Sequence, residues 1–212
     1  MSFHEFFTLF NRDGTLRLWS CGKNKTLEPV IELSDNVNCI DITDSNLNIL
    51  CSNTEDMSED EVGTLGKMVV IGGESGSVKL IDLRGRNIMH SANLSEAVNA
   101  VKFFDENYIV AGTDNGKISI IRVPDMSVMA EIHDSDSSVQ SIRILRNGFL
   151  AGKYDGACIW YSFDGSNIGH ERIVLTGSDV DPINDITKDE EYVYTASRDG
   201  SIRKYSIHEM FC

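Results

Sequence analysis

Hydrophobic and polar positions recur along this chain in one phrase: a short apolar run, a small polar pair, a turn of the Asp-Gly kind, then a segment in which apolar and polar residues alternate. The phrase occurs five times, as FFTLFNRDGTLRLWS (6–20), MVVIGGESGSVKLID (68–82), YIVAGTDNGKISIIR (108–122), FLAGKYDGACIWY (149–161) and YVYTASRDGSIRKYS (192–206). Alternation with a period of two is the period of a strand, whose successive side chains point to opposite faces. The Asp-Gly, Asn-Gly and Ser-Gly pairs tolerate the positive φ that a tight hairpin turn needs, so each phrase predicts a β-hairpin. The turn glycines are Gly14, Gly76, Gly116, Gly156 and Gly200, giving steps of 62, 40, 40 and 44 residues. The long first step marks an insertion.

A further alternating segment precedes most of these hairpins: VNCIDIT (37–43), VNAVKFF (98–104), VQSIRIL (139–145) and INDITKD (183–189). Another follows each hairpin except the last. Four strands per unit at a spacing of about 40 residues predict the blades of a β-propeller, because a lone four-stranded sheet cannot bury both faces without neighbours. No stretch of helical period competes, and only three prolines interrupt the chain. The expected fold class is all-β: a single domain over residues 1–212, with blades at roughly 1–34, 35–95, 96–136, 137–178 and 179–212 and an acidic loop insertion at 44–66.

The totals narrow the functions. With 212 residues and 41% hydrophobic content the chain can bury a sizeable core. Its net charge is −14, from 33 Asp and Glu against 19 Lys and Arg. That balance opposes binding to nucleic acid or anionic membrane, where neutralising phosphates rewards basic residues, and favours a basic protein partner. Five cysteines, Cys21, Cys39, Cys51, Cys158 and Cys212, are scattered with no C-x-x-C pair, which predicts reduced thiols in the cytoplasm or nucleus. The first residues lack a basic segment followed by an apolar core, and no run of 18 apolar residues occurs, so a soluble intracellular chain is expected.

The units resemble WD40 repeats, and RDGTLRLWS (12–20) is close to that family's turn and third strand. The Trp-Asp ending is degraded, to Trp19-Ser20, Ile81-Asp82, Ile121-Arg122, Trp160-Tyr161 and Tyr205-Ser206, and no Gly-His opens a blade. RDGTLRLWSCG (12–22), EVGTLGKM (61–68), AGTDNGKI (111–118), DVDPI (179–183) and SRDGSIRKY (197–205) occur in the order seen in the C-terminal portion of the proteasomal ATPase-associated factor family. That resemblance implies a seven-bladed WD40 propeller, of which about five blades are represented here. It also implies an assembly chaperone for the base of the 26S proteasome regulatory particle, binding the basic C-terminal domain of one ATPase subunit. The sequence opens in the second strand of a blade and ends after the third strand of another. Closure then requires a longer product, strands from elsewhere, or a smaller ring.

In the family's fold the turns between second and third strands share a face with the links between blades. That face would carry Asp13, Asp114, Asp155 and Asp199 from turns, with Asp35, Asp134, Asp136, Asp179 and Asp181 from links, together with Glu74 and Glu96. These nine aspartates are the candidate partner-binding residues. An aspartate in a hairpin turn ordinarily hydrogen-bonds its own backbone, so the link acids are the freer group. Asp179 and Asp181, ahead of Pro182, are the foremost of these. A second acidic cluster, Glu55, Asp56, Glu59, Asp60 and Glu61, lies in the insertion and is expected on the opposite face as a solvated loop.

Catalytic patterns are missing. His4, His90, His133, His170 and His208 fall in different units without a recurring acidic or hydroxyl partner. GGESGS (72–77) leads into a strand and lacks the lysine of a phosphate loop. Trp19 and Trp160 occupy third-strand positions suited to packing between blades. No enzyme activity, cofactor or metal is expected. The alternative to the chaperone is a generic WD40 scaffold, such as a substrate-recruiting subunit of a ubiquitin ligase.

Overall fold

The computed structural model describes residues 6–11, 14–20, 25–43, 67–83, 85–178 and 180–212, with the chain path alone for 6–11, 18–20 and 25–30. Five antiparallel sheets follow one another in chain order, each a simple meander. The first holds β1 (Phe6–Asn11), β2 (Thr15–Ser20) and β3 (Lys25–Glu32). The second holds β4 (Val37–Ile42), β5 (Met68–Gly73), β6 (Ser77–Asp82) and β7 (Asn87–Asn93). The third holds β8 (Val98–Phe103), β9 (Tyr108–Thr113), β10 (Ile118–Arg122) and β11 (Ser127–Ile132). The fourth holds β12 (Val139–Ile144), β13 (Gly148–Lys153), β14 (Cys158–Phe163) and β15 (Ile168–Thr176). The fifth holds β16 (Ile183–Lys188), β17 (Tyr192–Ser197) and β18 (Ile202–Ser206).

This is the all-β blade arrangement that the repeated phrase predicts, each phrase forming one hairpin. The first sheet has three described strands. In the fifth, the chain leaves β18 into a short helix, α1 (Ile207–Met210), whose Ile207 packs beside Trp160 and Ile186. Strands β4, β8, β12 and β16 lie side by side and form the inner wall. The outer strand β7 is exposed over nearly its whole length.

Four apolar clusters occupy the four spaces between successive sheets. Leu16 and Ile31 of the first, with Leu33 of the link that follows it, meet Val69, Ile71 and Ile81 of the second. Val70, Val78 and Leu80 meet Val98, Val101 and Ile109 of the third. Val110, Ile118 and Ile120 meet Val139, Ile142 and Phe149. Leu150, Cys158 and Trp160 meet Ile183, Ile186 and Val193. Strand β5 hands Val69 and Ile71 to the first sheet and Met68 and Val70 to the third, so its near-continuous apolar run MVVIGG is buried on both faces.

The junctions are tight. A Cβ on Gly72, Gly112 or Gly152 would lie 2.5, 2.4 or 2.6 Å from a side-chain methyl of Val98, Val139 or Ile183, the residues that open the next inner strand. Every inner strand is bulged one residue after that contact, with Asn38, Asn99, Gln140 and Asn184 skipped in the pairing. A bulge bends the strand and adds local twist, which turns the inner strand into its neighbours.

Turn glycines show the same dependence on the following sheet. Gly156 (φ +90°) would carry a Cβ 2.1 Å from the carbonyl oxygen of Val180, whereas Gly200 (φ +79°) would meet nothing within 4 Å among the described residues. Both substitutions to alanine carry the left-handed penalty of roughly 1–2 kcal/mol, but only Gly156→Ala adds the collision. Its urea midpoint should therefore fall further than that of Gly200→Ala, and equal midpoints would mean that turn and link do not touch in solution.

Candidate partner-binding face

Hydrogen bonds knit the turns and links into one end of the structure. The link amides of Leu33 and Leu94 donate to the turn carbonyls of Gly14 (2.8 Å) and Gly76 (2.9 Å) of the preceding sheet. The first turn residue of each sheet donates back to its own link: Glu74 to Asn36 (2.8 Å), Asp114 to Ala97 (2.9 Å), Tyr154 to Ser138 (2.8 Å) and Arg198 to Pro182 (2.9 Å). The links before the second and third sheets are thus clamped between two turns, and those before the fourth and fifth are held by the turn that follows them. This clamping holds the loop backbone in place without any segment of its own secondary structure.

The aspartates on this end divide by what holds their carboxylates. Asp35 accepts from Ser75 Oγ and Ser77 Oγ (both 2.6 Å) and from the Ser75 amide (3.2 Å). Burial alone would raise its pKa, but those bonds outweigh burial and hold it below the ordinary carboxylate value. Asp155 caps its own turn at the Ala157 amide (3.0 Å), and Asp199 caps Ser201 (2.8 Å) while pairing with Arg203 (3.1 Å). Hydrogen bonds from Ser201, ahead of the Arg203 contribution, hold Asp199 below its usual range. Asp114 is exposed and takes one bond from Asn99 Nδ2 (3.1 Å). Asp136 has 95% of its side chain in solvent and pairs with His133 (3.0 Å). Asp181 is exposed, with no hydrogen bond or ion pair to its carboxylate among the described residues. Asp13, Asp179, Arg12, His4 and the acids of 55–61 lie outside the described residues.

Asp134 does different work from the rest. Its Oδ1 accepts from Lys153 Nζ and its Oδ2 from the Tyr161 hydroxyl, with Arg172 Nη1 at 3.9 Å. The Lys153 side chain is only 1% exposed, and its ammonium also donates to Ser135 Oγ (3.0 Å). The link before the fourth sheet is thereby anchored to that sheet's second and third strands through an ion pair whose lysine is buried and whose aspartate keeps partial contact with solvent. Burial, then the bond to Asp134, raises the Tyr161 phenol, so it remains the donor.

Other motifs fall to structural roles. Glu74, Ser75 and Gly76 of GGESGS form the turn between β5 and β6, with the Gly76 amide donating to Gly73 (3.2 Å). Trp160 is buried, donates from Nε1 to the Leu145 carbonyl (3.1 Å) and meets Phe211 edge-on at 4.8 Å. The Trp19 side chain lies outside the described residues. Burial pushes the Cys158 thiol up to about 12, far from a reactive thiolate. Sequence reasoning passed over the amide at the second position of each inner strand (VNC, VNA, VQS, IND), which marks the bulge. Its fixed place in the repeat was the available signal.

Removing one member of a buried pair strands the other charge, at a cost of about 3–5 kcal/mol. Asp134→Ala should lower stability by that amount, and adding Lys153→Met should restore part of it in a double-mutant cycle. Burial raises and the bonds from Lys153 and Tyr161 lower the Asp134 pKa, and the bonds prevail. A carboxyl depressed in the folded state stabilises fully above its unfolded value of about 3.9, and that stabilisation is lost as pH falls through the folded value. Stability of Asp134→Ala should therefore depend less on pH in the acid limb than that of the parent; an unchanged slope would remove Asp134 from the pair.

The WD40 family described as "WD domain, G-beta repeat" matches residues 169–206. Proteasomal ATPase-associated factor 1 of Bos taurus is 32% identical over 154 residues, covering 72% of this chain and 38% of that protein. The Homo sapiens protein of the same name is 32% identical over 155 residues with the same coverage. WD repeat-containing protein 55 of Arabidopsis thaliana is 25% identical over 174 residues, covering 78% of this chain and 49% of that protein. The chain thus spans well under half the length of the proteasomal relatives it matches. Among solved structures, the computationally designed Ika8 protein superposes with a TM-score of 0.71 at 14% identity, covering 97% of this chain and 57% of that chain, a likeness of fold alone. Among the described residues no helix is long and apolar enough to cross a membrane. Repeat, fold and sequence agree: the chain is a WD40-repeat protein and a homologue, over 72% of its own length, of the proteasomal ATPase-associated factors.

Proposed function

We propose that this chain is a non-enzymatic binding module that acts in assembly of the 26S proteasome regulatory particle base by holding the basic C-terminal domain of an ATPase subunit. The contact surface in this reading is the end that carries the turns and links, with Asp13, Asp35, Asp114, Asp134, Asp136, Asp155, Asp179, Asp181 and Asp199 contributing. No cofactor enters it. The observation that carries the reading is the clamped link-and-turn backbone bearing uncommitted or singly held carboxylates at Asp114, Asp136 and Asp181. Such acids keep their water until a basic partner replaces it, and they speed encounter more than they slow release. The relatives' name supports an ATPase of the proteasome as that partner. Occupation of the ATPase domain by this surface would block its docking elsewhere until release.

A generic WD-repeat scaffold, including a ubiquitin-ligase recruiting subunit, is the second reading, favoured by the likeness to WD repeat-containing protein 55. Pull-down with the chain as bait separates the two. Recovery of proteasomal ATPase subunits without mature core particle supports the chaperone, and recovery of ligase components alone sinks it. With a purified ATPase domain, the triple variant Asp114→Asn, Asp136→Asn, Asp181→Asn should slow association several-fold and flatten its salt dependence, with little change in the dissociation rate. Neutralising Glu55, Asp56, Glu59, Asp60 and Glu61 should leave both rates unchanged; the reverse pattern would put the site on the other end.

A further inference from the structure

The inner strands carry charge at their far ends, away from the links. Asp41, Lys102 and Arg143 stand at the fifth position of β4, β8 and β12, and Lys188 ends β16. They line a cavity of about 450 Å³ at the mouth of the inner wall. Its two acids are already engaged. Asp41 accepts from Lys102 Nζ (2.6 Å) and the Phe103 amide (2.9 Å), and Asp105 accepts from the amides of Asn107 (2.7 Å) and Tyr108 (2.9 Å) within its own turn. Arg143, half-buried, and Lys188, exposed, have no acidic partner among the described residues. Two uncommitted cations thus face one cavity in a chain of net charge −14.

The same mouth has an apolar wall. Ile42 is exposed, and Phe103 and Ile144 are half-buried beside the cations. Inorganic phosphate would satisfy the charges but leave that wall wet, and two cations in so acidic a chain are too few to hold a nucleic-acid backbone. We propose that this mouth binds a peptide segment in which carboxylate and apolar side chains adjoin. One carboxylate lies between the Arg143 guanidinium and the Lys188 ammonium, and the apolar side chain covers Ile42, Phe103 and Ile144. The planar fork of Arg143 suits two parallel bonds to a carboxylate. The Asp41–Lys102 pair sets the limit of the site, because it withholds a third cation. This site is separate from the acidic end and takes a partner of opposite charge, so it stands or falls independently of the proteasomal reading.

Fluorescence polarisation of a labelled hexapeptide alternating Glu and Leu, against the same peptide with Gln for Glu, tests the proposal on the full chain. The Glu peptide should bind and the Gln peptide should not. Arg143→Ala and Lys188→Ala should each weaken binding about tenfold, the scale of one hydrogen bond to a charged group. Asp41→Asn should tighten it about threefold by freeing Lys102, a gain that misfolding cannot produce. Equal binding of the two peptides, binding unaffected by Arg143→Ala and Lys188→Ala, or no gain with Asp41→Asn overturns the site. Displacement by inorganic phosphate at the same concentration as unlabelled peptide overturns the peptide as its ligand.

Discussion

Neighbouring sheets approach closely where the first residue of an inner strand presses on a glycine of the sheet before it. Val98 on Gly72, Val139 on Gly112 and Ile183 on Gly152 leave no room for a Cβ, so the spacing of the sheets is set at these three points. Everything outward follows from that contact. The apolar faces of the hairpins come within van der Waals reach of the next sheet, and the bulge one residue later bends each inner strand along the wall. Dispersion falls off steeply with a gap of even half an ångström, so a side chain at the glycine would loosen the cluster behind it as well. The fifth sheet shows the converse. Ile202 occupies the position held by Val78, Ile118 and Cys158 but is 74% exposed, because no described sheet covers it, and Ala196 stands where the second, third and fourth sheets have the glycine.

Rigid spacing also fixes the loops. Links that would otherwise be free segments are held by turn backbone, the first two from both sides, and the third is further fixed by the Asp134, Lys153 and Tyr161 cluster. A loop ordered before binding loses less entropy when a partner docks, and its carboxylates keep a fixed pattern of charge. The ion pair itself adds little net stability compared with an apolar core; its contribution is to specify where the link lies.

Charge is distributed unevenly between the two ends. Among the described residues the link end presents carboxylates, several of them tied to serine hydroxyls or backbone amides, while Arg143 and Lys188 at the far end of the inner wall have no acidic partner. Because screening limits exposed charges to about 8 Å at physiological salt, the two ends act as separate surfaces despite the overall negative charge.

By itself the sequence determined the all-β repeat, since turn glycines at near-equal steps and period-two alternation are local properties that each segment carries alone. It also placed the inner strands within a residue, at VNCIDIT, VNAVKFF, VQSIRIL and INDITKD, and the resemblance carried by RDGTLRLWSCG and its companions pointed to the proteasomal relatives. Tertiary structure decided which aspartates are spent. Asp134 and Asp181 are alike as link acids in sequence, yet one is anchored to a lysine nineteen positions on and the other stands in water. Lys102 and Arg143 share one position of the repeat, and only the neighbouring Asp41 makes the first unavailable. A carboxylate's or cation's availability depends on partners brought from distant segments, whereas a turn or a strand is written in consecutive residues; that difference separates what the chain announced from what folding settled.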